Sequence, residues 1–142
     1  MPFKDNDKNI VSVVIPMSMI KEDVPKIMKD HKLGMYGYTN KIKEQEYHPE
    51  SFYDEVSDAL QWIGTKSPTK RISNKSVGSY SAKHMAEKWL GIDRNENVYI
   101  PNGALIIAAL MRDFPVKRIH DTPNAFIGIS KKTLTKQDGV GA

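Results

Sequence analysis

The side chains best placed to do chemistry are Tyr80, His84 and Glu87, within the run Ser79-Tyr80-Ser81-Ala82-Lys83-His84-Met85-Ala86-Glu87-Lys88-Trp89-Leu90. On a helix this spacing puts phenol, imidazole and carboxylate on one face. An imidazole titrates near neutrality, so His84 is a natural general acid or base, with Tyr80 to orient it and Glu87 to support it. Such a constellation would make a small hydrolase or nuclease. His84-x-x-Glu87 also brings together two potential metal ligands, but there is no His-Glu-x-x-His pattern. A third ligand would have to come from His120 or Asp121. The chain has no cysteine, which removes thiolate ligands and cysteine nucleophiles. It also has no Gly-rich phosphate loop, nucleophile elbow or paired-carboxylate signature. A solvated polar helix face accounts for the strip without chemistry. No metal or cofactor is expected, and a non-catalytic role is favoured.

Charge points to binding. Residues 1–63 carry 8 basic and 11 acidic side chains, whereas residues 64–132 carry 12 basic and 5 acidic ones, a net of +7. A basic half implies an anionic partner. The stretch Gly64 to Ser79 holds Lys66, Lys70, Arg71 and Lys75 with no acidic residue. These four, with Lys83, Lys117 and Arg118, are the expected nucleic-acid contacts. Tyr36 and Tyr38 are aromatic side chains on which bases can stack.

These residues must be positioned by a fold. Residues 1–8 are polar and read as disordered, residues 9–130 as one globular domain, and residues 131–142 as a mobile tail. Asn9 to Pro16 reads as a central strand, rich in β-branched residues. Ser18 caps a helix over about Met19–Lys32, with Pro25 in conflict with its interior and better suited to a first turn. Gly34 sits where that helix should stop. Tyr36 and Tyr38 alternate around Gly37 as in a short strand, and Lys41 to Glu46 reads as a charged surface segment. Pro49 to Ile63 is a helix with the stripe Phe52, Val56, Leu60 and Ile63. Gly64 to Ser79 reads as a flexible loop, with Arg71-Ile72-Ser73 as a possible short strand.

The next helix, from near Ser81 to Gly91, buries Ala82, Met85, Ala86, Trp89 and Leu90 and leaves Tyr80, Lys83, His84, Glu87 and Lys88 outside. Asn102 caps a helix through about Arg112 that is apolar all round and therefore buried. Val116–Ile119 and Ala125–Ile129 form a hairpin around His120-Asp121-Thr122-Pro123-Asn124. The expected class is α+β: three to four helices with a small antiparallel sheet and a winged-helix-like C-terminal half. Its second helix offers no polar side chain to base edges, so ordinary major-groove readout by that helix is not expected.

The residues Ser79-Tyr80, Lys83-His84, Glu87-Lys88-Trp89, Tyr99-Ile100-Pro101-Asn102-Gly103-Ala104-Leu105-Ile106 and Pro123-Asn124-Ala125-Phe126 give a resemblance over roughly residues 79–129. The chain there resembles small bacterial proteins associated with phages and plasmids, a group to which no activity attaches. The resemblance implies a mobile genetic element or its host as the setting and singles out Tyr80, Lys83, His84, Glu87, Asn102 and Asn124. The leading expectation is a binding protein contacting nucleic acid through its basic half. The alternatives are an accessory or inhibitor that binds a host or phage protein, for instance in a host defence system, and the His84 hydrolase. The first ten residues lack the apolar core of a signal peptide. The longest apolar run, Ala104 to Met111, is far short of a membrane span. A soluble cytoplasmic protein with no membrane partner is expected.

Overall fold

The fold is organised around one helix whose sequence, Asn-Gly-Ala-Leu-Ile-Ile-Ala-Ala-Leu-Met, leaves no side for water. The computed structural model describes residues 14–140. In it this helix spans Asn102–Met111, and every residue from Asn102 to Ala109 is buried. Number the helices α1 (Met17–His31), α2 (Ile42–Glu46), α3 (Ser51–Ile63), α4 (Ser79–Arg94) and α5 (Asn102–Met111), and the strands β1 (Leu33–Gly34), β2 (Gly37–Tyr38), β3 (Val77–Gly78), β4 (Val116–Arg118) and β5 (Ala125–Ile127). Helix α5 packs most extensively on α3. Phe52, Val56, Ala59, Leu60, Trp62 and Ile63 turn inward there, as the apolar stripe of α3 requires. Full burial of one such large side chain stabilises by about 1.5–3 kcal/mol, so this contact is the main source of cohesion.

From α3 onward the order is helix, strand, helix, helix, strand, strand. The three-stranded sheet has the order β3-β5-β4 and is antiparallel throughout, with Val77 and Val116 both opposite Ile127. That is the order and pairing of a winged helix, with residues 119–124 as the wing loop. The difference lies in what covers α5. A recognition helix stands clear of its domain, whereas α5 is roofed by the hairpin β1–β2, and α1 also touches it. The whole is one small α+β domain of five helices and two antiparallel sheets among the described residues. No helix there is long and apolar enough to cross a membrane.

Several local expectations are revised. The strand expected over Asn9–Pro16 falls mainly outside the described residues, and residues 14–16 are irregular. Helix α1 runs straight through Pro25, which faces solvent. The burial of Ile20, Val24 and Met28 on the opposite side outweighs the lost hydrogen bond. The stop is Lys32, at φ 57°, so Gly34 is free to enter β1. Residues 42–46, expected as an irregular charged segment, form α2. Arg71-Ile72-Ser73 is not a strand. Helix α4 begins at Ser79 and passes through Gly91 to end at Asn95, at φ 55°. The N-cap of α5 is Pro101, not Asn102.

The segment from Lys131, expected as a mobile tail, makes two 3-10 turns, Lys131–Thr133 and Lys136–Asp138, and docks on α3 and α4. Its anchor is Asp138. Oδ1 accepts from the Trp62 indole at 2.8 Å, and Oδ2 accepts from Lys66 at 2.5 Å and from the Thr135 amide at 2.7 Å. Both charged side chains are sealed from water, at 1% and 0% exposure. Burial alone would push the Asp138 carboxyl up. The hydrogen bonds from Lys66, Trp62 and Thr135, with the lysine charge, outweigh it and hold the pKa below the ordinary aspartate value.

Candidate functional site

The first turn of α5, the turn of the β1–β2 hairpin and the wing loop meet at Asn102. Its side-chain amide donates to the carbonyl of Tyr36 at 3.2 Å, to that of Pro123 at 3.2 Å and to Oδ1 of Asn124 at 3.1 Å. Three acceptors around the nitrogen fix the amide orientation, and Oδ1 is left buried without a protein partner. Beside it the Gly103 amide donates to Met35 at 2.8 Å, and the Tyr38 amide donates to Pro123 at 3.0 Å. This close approach needs glycine. A Cβ on Gly103 would strike the carbonyl oxygens of Gly34 and Met35, and Gly37 turns the hairpin at φ 119°.

Two clefts flank this junction and share Tyr36 and Pro123. The smaller, about 420 Å³, is lined by Tyr36, Tyr80, Lys83, Tyr99, Asn102, Pro123 and Asn124. The three tyrosines stand more than half exposed at its rim, and Lys83 and Asn102 are buried at its base. The larger, about 590 Å³, lies between the hairpin, α2 and the wing, with Tyr38, Tyr47 and Arg118 among its lining residues. Arg118 stacks 5.3 Å from the Tyr38 ring and donates to the Thr122 carbonyl at 3.0 Å. Burial pushes the Tyr38 phenol up in pKa, with Arg118 opposing it in part.

Lys83 was expected on the outer face of α4 but is buried. Its ammonium pairs with Glu87 at 3.0 Å and lies 5.5 Å from the Tyr80 ring and 5.0 Å from the Tyr99 ring. Helical periodicity does place it beside the polar strip. What draws it in is the pair of rings, Tyr80 and Tyr99, beside its ammonium and the Glu87 carboxylate. The Glu87 carboxylate accepts also from His84 Nδ1 at 2.9 Å and from the Ile100 amide at 2.9 Å. His84 itself is half exposed, stacked edge-on against Tyr80 at 4.6 Å, and lines neither cleft. His120 lies out on the wing beside Asp121, both almost fully exposed. Tyr80, His84 and Glu87 are therefore adjacent, with Tyr80 on the rim of the 420 Å³ cleft and Glu87 lining a separate surface groove with Lys88, Gly91 and Asn95. Among the described residues no group of three or more His, Asp or Glu is placed to hold a metal.

The expected nucleic-acid contacts divide. Lys66 and Lys83 are buried and ion-paired, Arg118 is half-buried over Tyr38, and Lys70, Arg71, Lys75 and Lys117 are exposed. Three further lysines that the sequence reading did not single out, Lys131, Lys132 and Lys136, are also exposed. The segments that carry them are laced together. The Thr69 amide donates to Gly128 at 2.8 Å, the Ser130 amide to Ser67 at 2.7 Å, and the Lys131 ammonium to the Lys75 carbonyl at 2.7 Å. Lys70, Arg71, Lys75, Lys131 and Lys132 thus lie on two neighbouring segments, with Lys136 farther along the second, and among the described residues none of the six forms a salt bridge. The Lys131-Lys132 pair was visible in the sequence; that its segment folds back beside Lys75 was not.

Compared with protein-family models, with curated proteins and with solved structures, the chain matches none.

Proposed function

We propose that the protein is a non-catalytic nucleic-acid-binding protein that holds the phosphate backbone along the edge built by residues 67–76 and 130–136. The carrying observation is the set of six exposed cations on two laced segments, with no acidic side chain in either. Exposed cations that form no salt bridge among the described residues are free to replace the counterions of a polyanion. The buried state of α5 argues for backbone rather than base-edge contacts in a duplex groove. The test is fluorescence anisotropy with labelled oligonucleotides over a range of salt. Log affinity should fall linearly with log salt, with a slope of about −0.7 to −0.9 per phosphate contacted. Salt-independent binding, or none to single or double strands, overturns the reading.

A protein-binding accessory role, in the mobile-element setting that the resemblance implies, is favoured by a different feature. Tyr36 and Tyr47, which line the 590 Å³ cleft, are each about two-thirds exposed, and exposed tyrosines are enriched at interfaces. Affinity capture with the wild type and with Tyr47→Ala would test it; a partner retained equally by both counts against this surface.

A further inference from the structure

We infer that the tyrosine-rimmed cleft at the start of α5 receives one unstacked base of a single-stranded nucleic acid, selecting a base whose edge presents carbonyl acceptors. This rests on the nucleic-acid reading and adds strand type and base preference to it. The rim offers three phenol rings, Tyr36, Tyr80 and Tyr99, each more than half exposed. Such rings are stacking platforms for any base that has left its helix. The volume, about 420 Å³, is in the range of small-ligand sites.

The base of the cleft offers mainly donors, with the unpartnered Oδ1 of Asn102 as an acceptor among them. Lys83 has three N–H groups and gives one to Glu87. Asn124 uses its side-chain oxygen to accept from Asn102, which leaves its amide N–H groups to donate. Thymine, uracil and guanine present carbonyl oxygens beside a ring N–H, which matches donors flanking one acceptor, whereas adenine has no carbonyl oxygen to offer the Lys83 ammonium. An aromatic cage of this kind ordinarily attracts a ligand cation, but Lys83 already occupies that place. The basic edge also leads into the cleft. Lys75 and Tyr80 are five residues apart, so their backbones lie at most about 17 Å from one another, a distance a few nucleotides can cover.

The experiment is anisotropy with the full chain and four probes of equal length: oligo(dT), oligo(dA), an oligomer of abasic sites, and duplex. Wild type, Tyr80→Ala, Tyr99→Ala and Lys70→Ala/Arg71→Ala are compared, with circular dichroism to confirm folding. Both tyrosines are exposed, so their variants should fold. Oligo(dT) should bind best, and each tyrosine variant should weaken it by about 5- to 150-fold without changing the salt slope. The Lys70/Arg71 variant should reduce the slope and keep the preference for oligo(dT). Equal binding of oligo(dT), oligo(dA) and abasic oligomer, tighter binding of duplex, or unaltered binding by both tyrosine variants overturns the cleft assignment while leaving the backbone reading standing. No binding by any probe overturns both.

Discussion

The amide of Gly103 donates to the carbonyl of Met35 at 2.8 Å, which joins the first turn of α5 to the hairpin laid over it. Neither residue has a side chain in this bond, yet the side chain of one decides it. Gly103→Ala would drive a methyl into the Gly34 and Met35 carbonyl oxygens. The expected cost is about 1–3 kcal/mol, read as a lower urea midpoint, with faster hydrogen exchange confined to residues 33–38 and 102–104. Unchanged stability would mean that the hairpin is not seated on α5.

Replacing Ile107 by Asp places a charge on the fully buried face of α5. A loss of roughly 4 kcal/mol or more is expected, whereas Ile107→Val should cost only about 0.5–1.5 kcal/mol. Limited proteolysis of the two variants separates the outcomes.

Asp138 anchors the C-terminal segment, and its pKa is lower folded than unfolded. Its contribution is therefore complete above the ordinary value of 3.8 and is lost as pH falls through the lower folded value. Asp138→Asn leaves Lys66 buried without its counter-charge, at a cost of about 3–5 kcal/mol near neutrality. Melting curves should show the gap between variant and wild type narrowing only below that value. A gap independent of pH would show that the carboxylate charge is not what holds the segment.

Glu55 behaves in the opposite sense. Burial, then Asp58 and Asp54, push its carboxyl up, and one of its oxygens is buried without a partner. A raised folded pKa means stability that is present below the unfolded value of 4.5 and lost as pH rises through the folded one. Glu55→Gln should therefore stabilise at pH 7, by up to about 0.5 kcal/mol, and the gain should vanish at acid pH. A variant less stable than wild type at pH 7 would contradict this.

Neutralising Lys131 and Lys132 together should flatten the salt dependence of nucleic-acid binding by about 1.4–1.8 in log–log slope. The same change at Lys66 should lower stability instead, because its ammonium is sealed against Asp138. Paired anisotropy and melting measurements would distinguish the two roles; an unchanged slope at Lys131 and Lys132 would remove them from the interface.

Elements set by a repeating apolar pattern were readable in the chain. The stripe on α3, the all-apolar α5 and the hairpin that follows it could be placed from spacing alone, and so could the winged order they form. What spacing could not supply was long-range partnership. Lys83 sits at a polar helical position and is buried only because Tyr80 and Tyr99 close over it and Glu87 pairs with it. Asn102 has the composition of a cap, yet bonds across to Tyr36, Pro123 and Asn124. Lys136 and Asp138 stand in a polar, aperiodic stretch, and only Trp62 and Lys66, more than 70 residues earlier, give that stretch a place to dock. The candidate cleft is made almost wholly of such partnerships. Its residues were named by type, while its shape was not visible.

The roof over α5 also imposes an order of assembly. Tyr36 and its partner Asn102 stand 66 residues apart. At about 5–20 residues per second during synthesis, the hairpin waits roughly 3–13 s before the helix it covers exists. Within that interval α3 is made and can cover Ile20, Val24 and Met28 of α1, so it is the hairpin that waits longest for its seat. Completion of this fold therefore waits on its last long helix, although the hairpin that closes over it is among the first segments made.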